Sequence, residues 1–184
     1  MMLTMKKTIL SCLLIAAFSI ATYGQNGVIH INGGVDGAFP LGNFGEAYGM
    51  GFGATVKGLY GISDAGQVGL TLGYIHFGTK EDLGAGNSAS FGVIPILALY
   101  RHHFGSLYVE PQIGLSANHV KVKVSDSDSG FNFGGTASTT SLGYAAGIGY
   151  LIGNIDLSAR YQGFSQNSSS AGFAGLRVAY NFSL

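Results

Sequence analysis

The chain has no tryptophan, only three prolines and one cysteine, and just 10% of its residues are charged. The cysteine, Cys12, lies inside an apolar run, Ile9 to Ala21, that follows Lys6 and Lys7. A positive start, an apolar stretch and the small residues of Ala21-Thr22-Tyr23-Gly24 predict a cleaved signal peptide over residues 1–24. Ile9-Leu10-Ser11-Cys12 superficially resembles a lipid-attachment box, but the apolar run follows the cysteine where such a box needs it to precede. The processed chain is therefore expected to carry no thiol, which excludes disulfides and cysteine-based metal sites. No later run is long and apolar enough for a membrane helix. Formal net charge is zero, and loss of the two lysines leaves the rest slightly acidic, so no nucleic-acid partner is expected. Scarce charge combined with 47% hydrophobic residues excludes disorder. The 31 glycines follow no period of three, which excludes a collagen helix.

What the chain does contain is alternation. The last stretch, Gly172 to Leu184, sets Leu176, Val178, Tyr180, Phe182 and Leu184 on one parity against Phe173, Gly175, Arg177, Ala179, Asn181 and Ser183 on the other. Period two is the signature of a strand with two unlike faces. Here one face is wholly apolar and the other carries a cation and an amide. Seven further stretches read in the same way: 27–39, 47–62, 67–77, 89–101, 106–120, 139–151 and 155–164. In the second, Tyr48, Met50, Phe52, Ala54, Val56 and Tyr60 oppose Thr55 and Lys57. The fourth alternates poorly. Phe91, Val93, Leu97 and Leu99 are assigned outward, Ile94 and Ile96 break the pattern, and Pro95 predicts a bulge. Arg101-His102-His103-Phe104-Gly105 is read as a turn with solvated histidines.

Eight strands joined by alternately long and short connections predict an all-β fold, an eight-stranded antiparallel up-and-down transmembrane barrel over residues 25–184. The first, third, fifth and seventh connections are the longer ones, and the fifth, about 121–138, is expected to be the longest. Each strand has the length a tilted strand needs to cross a bilayer. Closure satisfies every backbone donor, which hydrocarbon demands. The in-strand charges Asp36, Lys57, Glu110, Asp156, Arg160 and Arg177 share the polar parity. A charge on the lipid side at mid-depth costs roughly 2–4 kcal/mol, so this segregation sets the orientation. Lys57, Glu110, Asp156, Arg160 and Arg177 are expected to meet in the lumen as a polar network, read as buried ion pairs filling the interior in preference to a gated pathway. Tyr48, Tyr60, Tyr74, Tyr100, Tyr144, Tyr161, Tyr180 and Phe182 suit aromatic girdles.

Three segments, Gly33 to Phe44, Leu107 to Leu115 and Gly175 to Phe182, make the chain resemble the outer-membrane protein β-barrel domain family, the small barrels of the OmpX and opacity-protein type. The resemblance spans about Gln25 to Leu184. It implies the outer membrane of a Gram-negative bacterium, outer-membrane lipids and lipopolysaccharide as surroundings, and the barrel-assembly machinery as a partner during biogenesis. Gly175, Leu176, Val178, Tyr180 and Phe182 are similar to the family's assembly signal, although Ser183 and Leu184 follow the usual terminal aromatic. A monomer is expected, with no cofactor and no metal.

Several sites offer themselves and are weak. Asp126-Ser127-Asp128-Ser129-Gly130 hints at a calcium loop, but Ala137 stands where the closing Glu belongs. Barrel lipid A deacylases carry a His-x-Ser pair, and none of the five histidines has a serine two residues on. A set such as His30, Asp36 and Ser116 could only assemble in space. The expected role is structural or surface-interacting, without catalysis, through loops near Lys80 to Asn87, Asp126 to Gly135 and Gln166 to Ser170. A narrow pore, a lipid A-modifying enzyme and a lipocalin-like soluble carrier are the alternatives.

Overall fold

The computed structural model describes residues 27–80, 88–125, 132–166 and 169–183. The signal-peptide segment, the Asp126–Gly130 fragment and most of the Lys80–Asn87 loop lie outside them. Eight strands follow one another: β1 (Ile29–Leu41), β2 (Tyr48–Gly61), β3 (Gly66–Thr79), β4 (Ser88–Phe104), β5 (Leu107–Ser125), β6 (Asn132–Ile152), β7 (Ile155–Gln166) and β8 (Ser169–Ser183). Each pairs antiparallel with its sequence neighbour, and β8 pairs with β1 from His30–Ser183 to Leu41–Gly172, closing the barrel.

The two faces follow the alternation. Val35 is 65% exposed, Phe52 66% and Ile113 60%, all pointing outward. Asp156 is fully buried, Arg101 is 1% exposed and Lys57 2%, all pointing into the lumen. The turns at one end are tight. Gly105 and Gly153 sit at φ 68° and 59°, in the left-handed region that two-residue hairpins need and that side-chain-bearing residues resist. Between β2 and β3 the Gly66 amide is held by Ser63 Oγ at 2.9 Å.

The structure corrects the sequence reading in several places. β4 has the opposite orientation to the one assigned. Phe91, Val93, Leu97 and Leu99 are buried in the lumen, while Ile96 and Tyr100 are exposed. Pro95 causes no bulge: β4 holds one register against β5 through Pro95–Ser116 and one against β3 on either side of the proline. The pairs that Ile94 and Pro95 would make with β3 are the ones missing, so the absent donor interrupts the ladder on that side without shifting it. Arg101 is no turn residue, because β4 runs on to Phe104 and buries it.

Tyr48 packs inward against Phe44 and Phe91 instead of joining a girdle, since the β2–β3 register shifts between Tyr48 and Gly51. The connection expected over 121–138 is mostly strand, as β5 continues to Ser125 and β6 begins at Asn132. The seventh connection shrinks to residues 167–168. The turn expected after Pro40 contains a short helix, α1 (Gly42–Ala47), although the composition left no room for one.

Candidate functional site: a filled lumen and an uneven rim

Inward side chains divide the lumen into two zones. Toward the tight turns lies a network of ions. Lys57 on β2 pairs with Glu110 on β5, across the barrel axis. Arg101 on β4 donates from Nε to Glu110 Oε2 at 2.7 Å, and its Nη1 lies 3.2 Å from Asp156 Oδ2 on β7. Asp156 also accepts from Tyr108 Oη at 2.6 Å and from Asn32 Nδ2 at 2.9 Å. The Arg101 guanidinium stacks over the Tyr108 ring, 3.9 Å from its centre. β6 contributes space: a Cβ at Gly149 would fall 2.2 Å from the Tyr108 ring.

A second cluster surrounds Asp36 on β1. Its Oδ2 accepts from Thr55 Oγ1 at 2.8 Å, and its Oδ1 lies 2.9 Å from Arg160 Nη1. Arg177 Nε is 4.0 Å from Asp36 Oδ2 and donates to Thr55 Oγ1 at 2.7 Å, while its Nη2 donates to the carbonyls of Asn32 and Thr55. Lys57, Glu110, Asp156, Arg160 and Arg177, the five residues singled out from the sequence, thus all lie buried in the lumen, and each is within ion-pair distance of an opposite charge. Arg101, Asn32 and Tyr108 were missed as members. The signal for Arg101 was available: it shares odd parity with Leu97 and Leu99, and a cation at that end of a strand belongs inside.

Toward the loop end the lumen holds an apolar cluster beside the hydrogen-bonded Ser116, Asn118 and Ser141. Phe77, Phe91, Phe164, Phe173, Ile75, Val93 and Ala38 form one buried cluster, joined by Phe44 from α1. The Phe44 ring meets Phe77 and Phe91 edge-on at 5.2 Å and Phe164 at 5.6 Å. The helix therefore stoppers the mouth with an aromatic side chain. Lys80, the residue after β3, ties it down, its Nζ donating to the Gly45 carbonyl at 2.6 Å and its amide to the Ala47 carbonyl at 3.2 Å.

The rim is uneven. Pairing of β6 with β7 starts only at Leu142–Ser165, whereas β6 pairs with β5 back to Asn132. Among the described residues, 132–141 of β6 consequently form an edge with a strand partner on one side only. Residues 135–138 and Thr140 on this edge are exposed. The triad candidates do not come together: His30 Nδ1 contacts Ser183 Oγ, Asp36 faces arginines, and Ser116 donates to Asn118.

A closed, up-and-down eight-stranded barrel with an apolar exterior and an ionic interior is the fold of small outer-membrane barrels. Solved structures with this fold include the attachment invasion locus protein Ail of Yersinia pestis, at 17% identity and TM-score 0.59 over 85% of this chain and 99% of that one. Neisserial surface protein A matches at 17% identity and TM-score 0.55, covering 83% and 95%. The N-terminal barrel domain of Pseudomonas aeruginosa OprF matches at 21% and 0.52, covering 86% and 99%. No protein-family model matches the chain, and no curated protein matches it in sequence.

Proposed function

We propose that this chain resides in the outer membrane of a Gram-negative bacterium as a non-enzymatic, non-conducting surface protein that engages partners through the raised β5–β6 rim. The membrane part of the reading rests on the exterior. Large apolar side chains cover it on every strand, far beyond the patch a soluble monomer exposes. Backbone pairing around the whole circle leaves no edge within hydrocarbon. Lipopolysaccharide and phospholipid are then its immediate surroundings, and a monomer suffices. Gly175, Leu176, Val178, Tyr180 and Phe182 would present the barrel-assembly machinery with an alternating apolar face before β8 pairs with β1.

The observation that carries the interaction role is the half-paired edge of β6 over residues 132–141, standing at the loop end of a barrel whose interior is full. Such an edge offers backbone donors and acceptors to an extended segment of another protein. Its side chains include Thr136, Ser138, Thr139 and Thr140, which keep it soluble while it waits. Cells displaying the protein are expected to bind labelled extended peptides, which can add a strand to this edge. Replacing Thr136 and Ser138 by proline should cut that binding about tenfold, since proline removes ladder donors. Heat-modifiable gel mobility of the variant should stay as in the parent. Undiminished binding by a correctly folded variant would remove the edge from the proposal.

A further inference from the structure

The ions of the lumen do not balance. Lys57, Arg101, Arg160 and Arg177 are buried cations, and Asp36, Glu110 and Asp156 are the buried carboxylates among the described residues. The shortfall is local. Glu110 serves Lys57 and Arg101, and Asp156 serves Arg101, Tyr108 and Asn32. Asp36 alone is shared between two guanidinium groups, those of Arg160 and Arg177. Burying an uncompensated charge is costly, so a further negative group is called for beside these two arginines.

The donors show where. Arg160 turns Nη1 toward Asp36, but Nε and Nη2 have no acceptor among the described residues. Those two nitrogens form one edge of the guanidinium fork, with parallel N–H bonds suited to a single anion. Gln162, the next inward residue on β7, also lacks an acceptor for its Nε2, and it is only 1% exposed. Arg177 Nη1 is likewise without one.

Nor does the facing strand cover that edge with a side chain. Gly175 of β8 is paired with Arg160. A Cβ built on it would lie 3.3 Å from Arg160 Cγ, 3.6 Å from Arg160 Nε and 3.7 Å from the Phe173 ring, with nothing nearer. Gly175 thus places no side chain of its own over the Nε–H of Arg160, and a methyl group there would press on the arginine.

We propose that the lumen holds a single small monovalent anion of the halide class on the Nε–Nη2 edge of Arg160, captured as the barrel closes and completing its internal charge balance. The test is refolding of the purified protein into detergent micelles at equal ionic strength in sodium chloride or in sodium gluconate, whose anion is too large to enter. Chloride is expected to raise the unfolding midpoint by about 4 °C or more. Gly175→Ala keeps every charge and crowds the Arg160 edge, and Gln162→Glu supplies a carboxylate from within, so each should abolish the difference between salts. Crystals grown in bromide should show anomalous density beside Arg160 Nε. Equal midpoints in the two salts for the parent protein would overturn the proposal. So would a chloride effect that survives unchanged in Gly175→Ala or Gln162→Glu, or bromide density that avoids Arg160.

Discussion

Glu110 is one of the carboxylates that brace three lumen side chains each. It meets Lys57, Arg101 and Gln112 at once, and its neighbours come from β2 and β4 as well as its own strand. Neutralising it leaves two cations buried with weaker partners, so Glu110→Gln should destabilise the barrel by about 3–5 kcal/mol, read from urea unfolding in micelles. The double variant Glu110→Gln, Lys57→Met should recover part of that loss, because it removes a stranded charge along with its partner. Gly149 is the quiet counterpart. Gly149→Leu would drive a side chain into the Tyr108 ring, displacing the hydroxyl from Asp156, and should cost about 1–3 kcal/mol in the same assay.

Among the elements, β8 was the most legible and β4 the least. Arg177 and Asn181 mark the inner side of β8 and an unbroken apolar series marks the outer one. In β4 both faces are apolar, because its inward residues Phe91 and Val93 join the aromatic cluster. Alternation of polarity then carries no information about direction, and only Arg101 at the far end of the strand could have oriented it. α1 escaped for a related reason. It is a single short turn whose place is fixed by Phe44 entering the aromatic cluster and by Lys80 from just past β3, neither of them a local signal. The five network residues were legible because a charge in a lipid-crossing strand has only one affordable side. On the outer side, Val178 of β8 stands 54% exposed between Leu157 and Val35. Val178→Arg should therefore cost about 2–4 kcal/mol when unfolding is followed in lipid vesicles, whereas the same change in detergent should be milder.

At the scale of the molecule, the two lumen zones together decide permeability. Ions crossing would have to break the Lys57–Glu110 and Arg101–Asp156 contacts and then part the rings around Phe44. Planar bilayers containing the protein should accordingly show no steady conductance above the bare membrane. Phe44→Ala together with Glu110→Gln is the variant in which leakage should first become measurable. The closed eight-stranded plan could be anticipated from parity and connection lengths. Its uneven rim could not, because β6 opens with Gly, Ser and Thr residues that read equally well as a loop.

The cross-braces also have a consequence for how the chain acquires its shape. Asn32 with Asp156, Thr55 with Arg177 and Lys57 with Glu110 join positions 53 to 124 residues apart. None of these contacts can form early, and a cylinder lacking its last stave would leave Asp36 without Arg177 and the first strand paired on one side only. Assembly should thus be all-or-none and slow. A chain ending before Ser169 should yield no compact, heat-shiftable band on a gel at any refolding time, while the intact chain converts in a single phase.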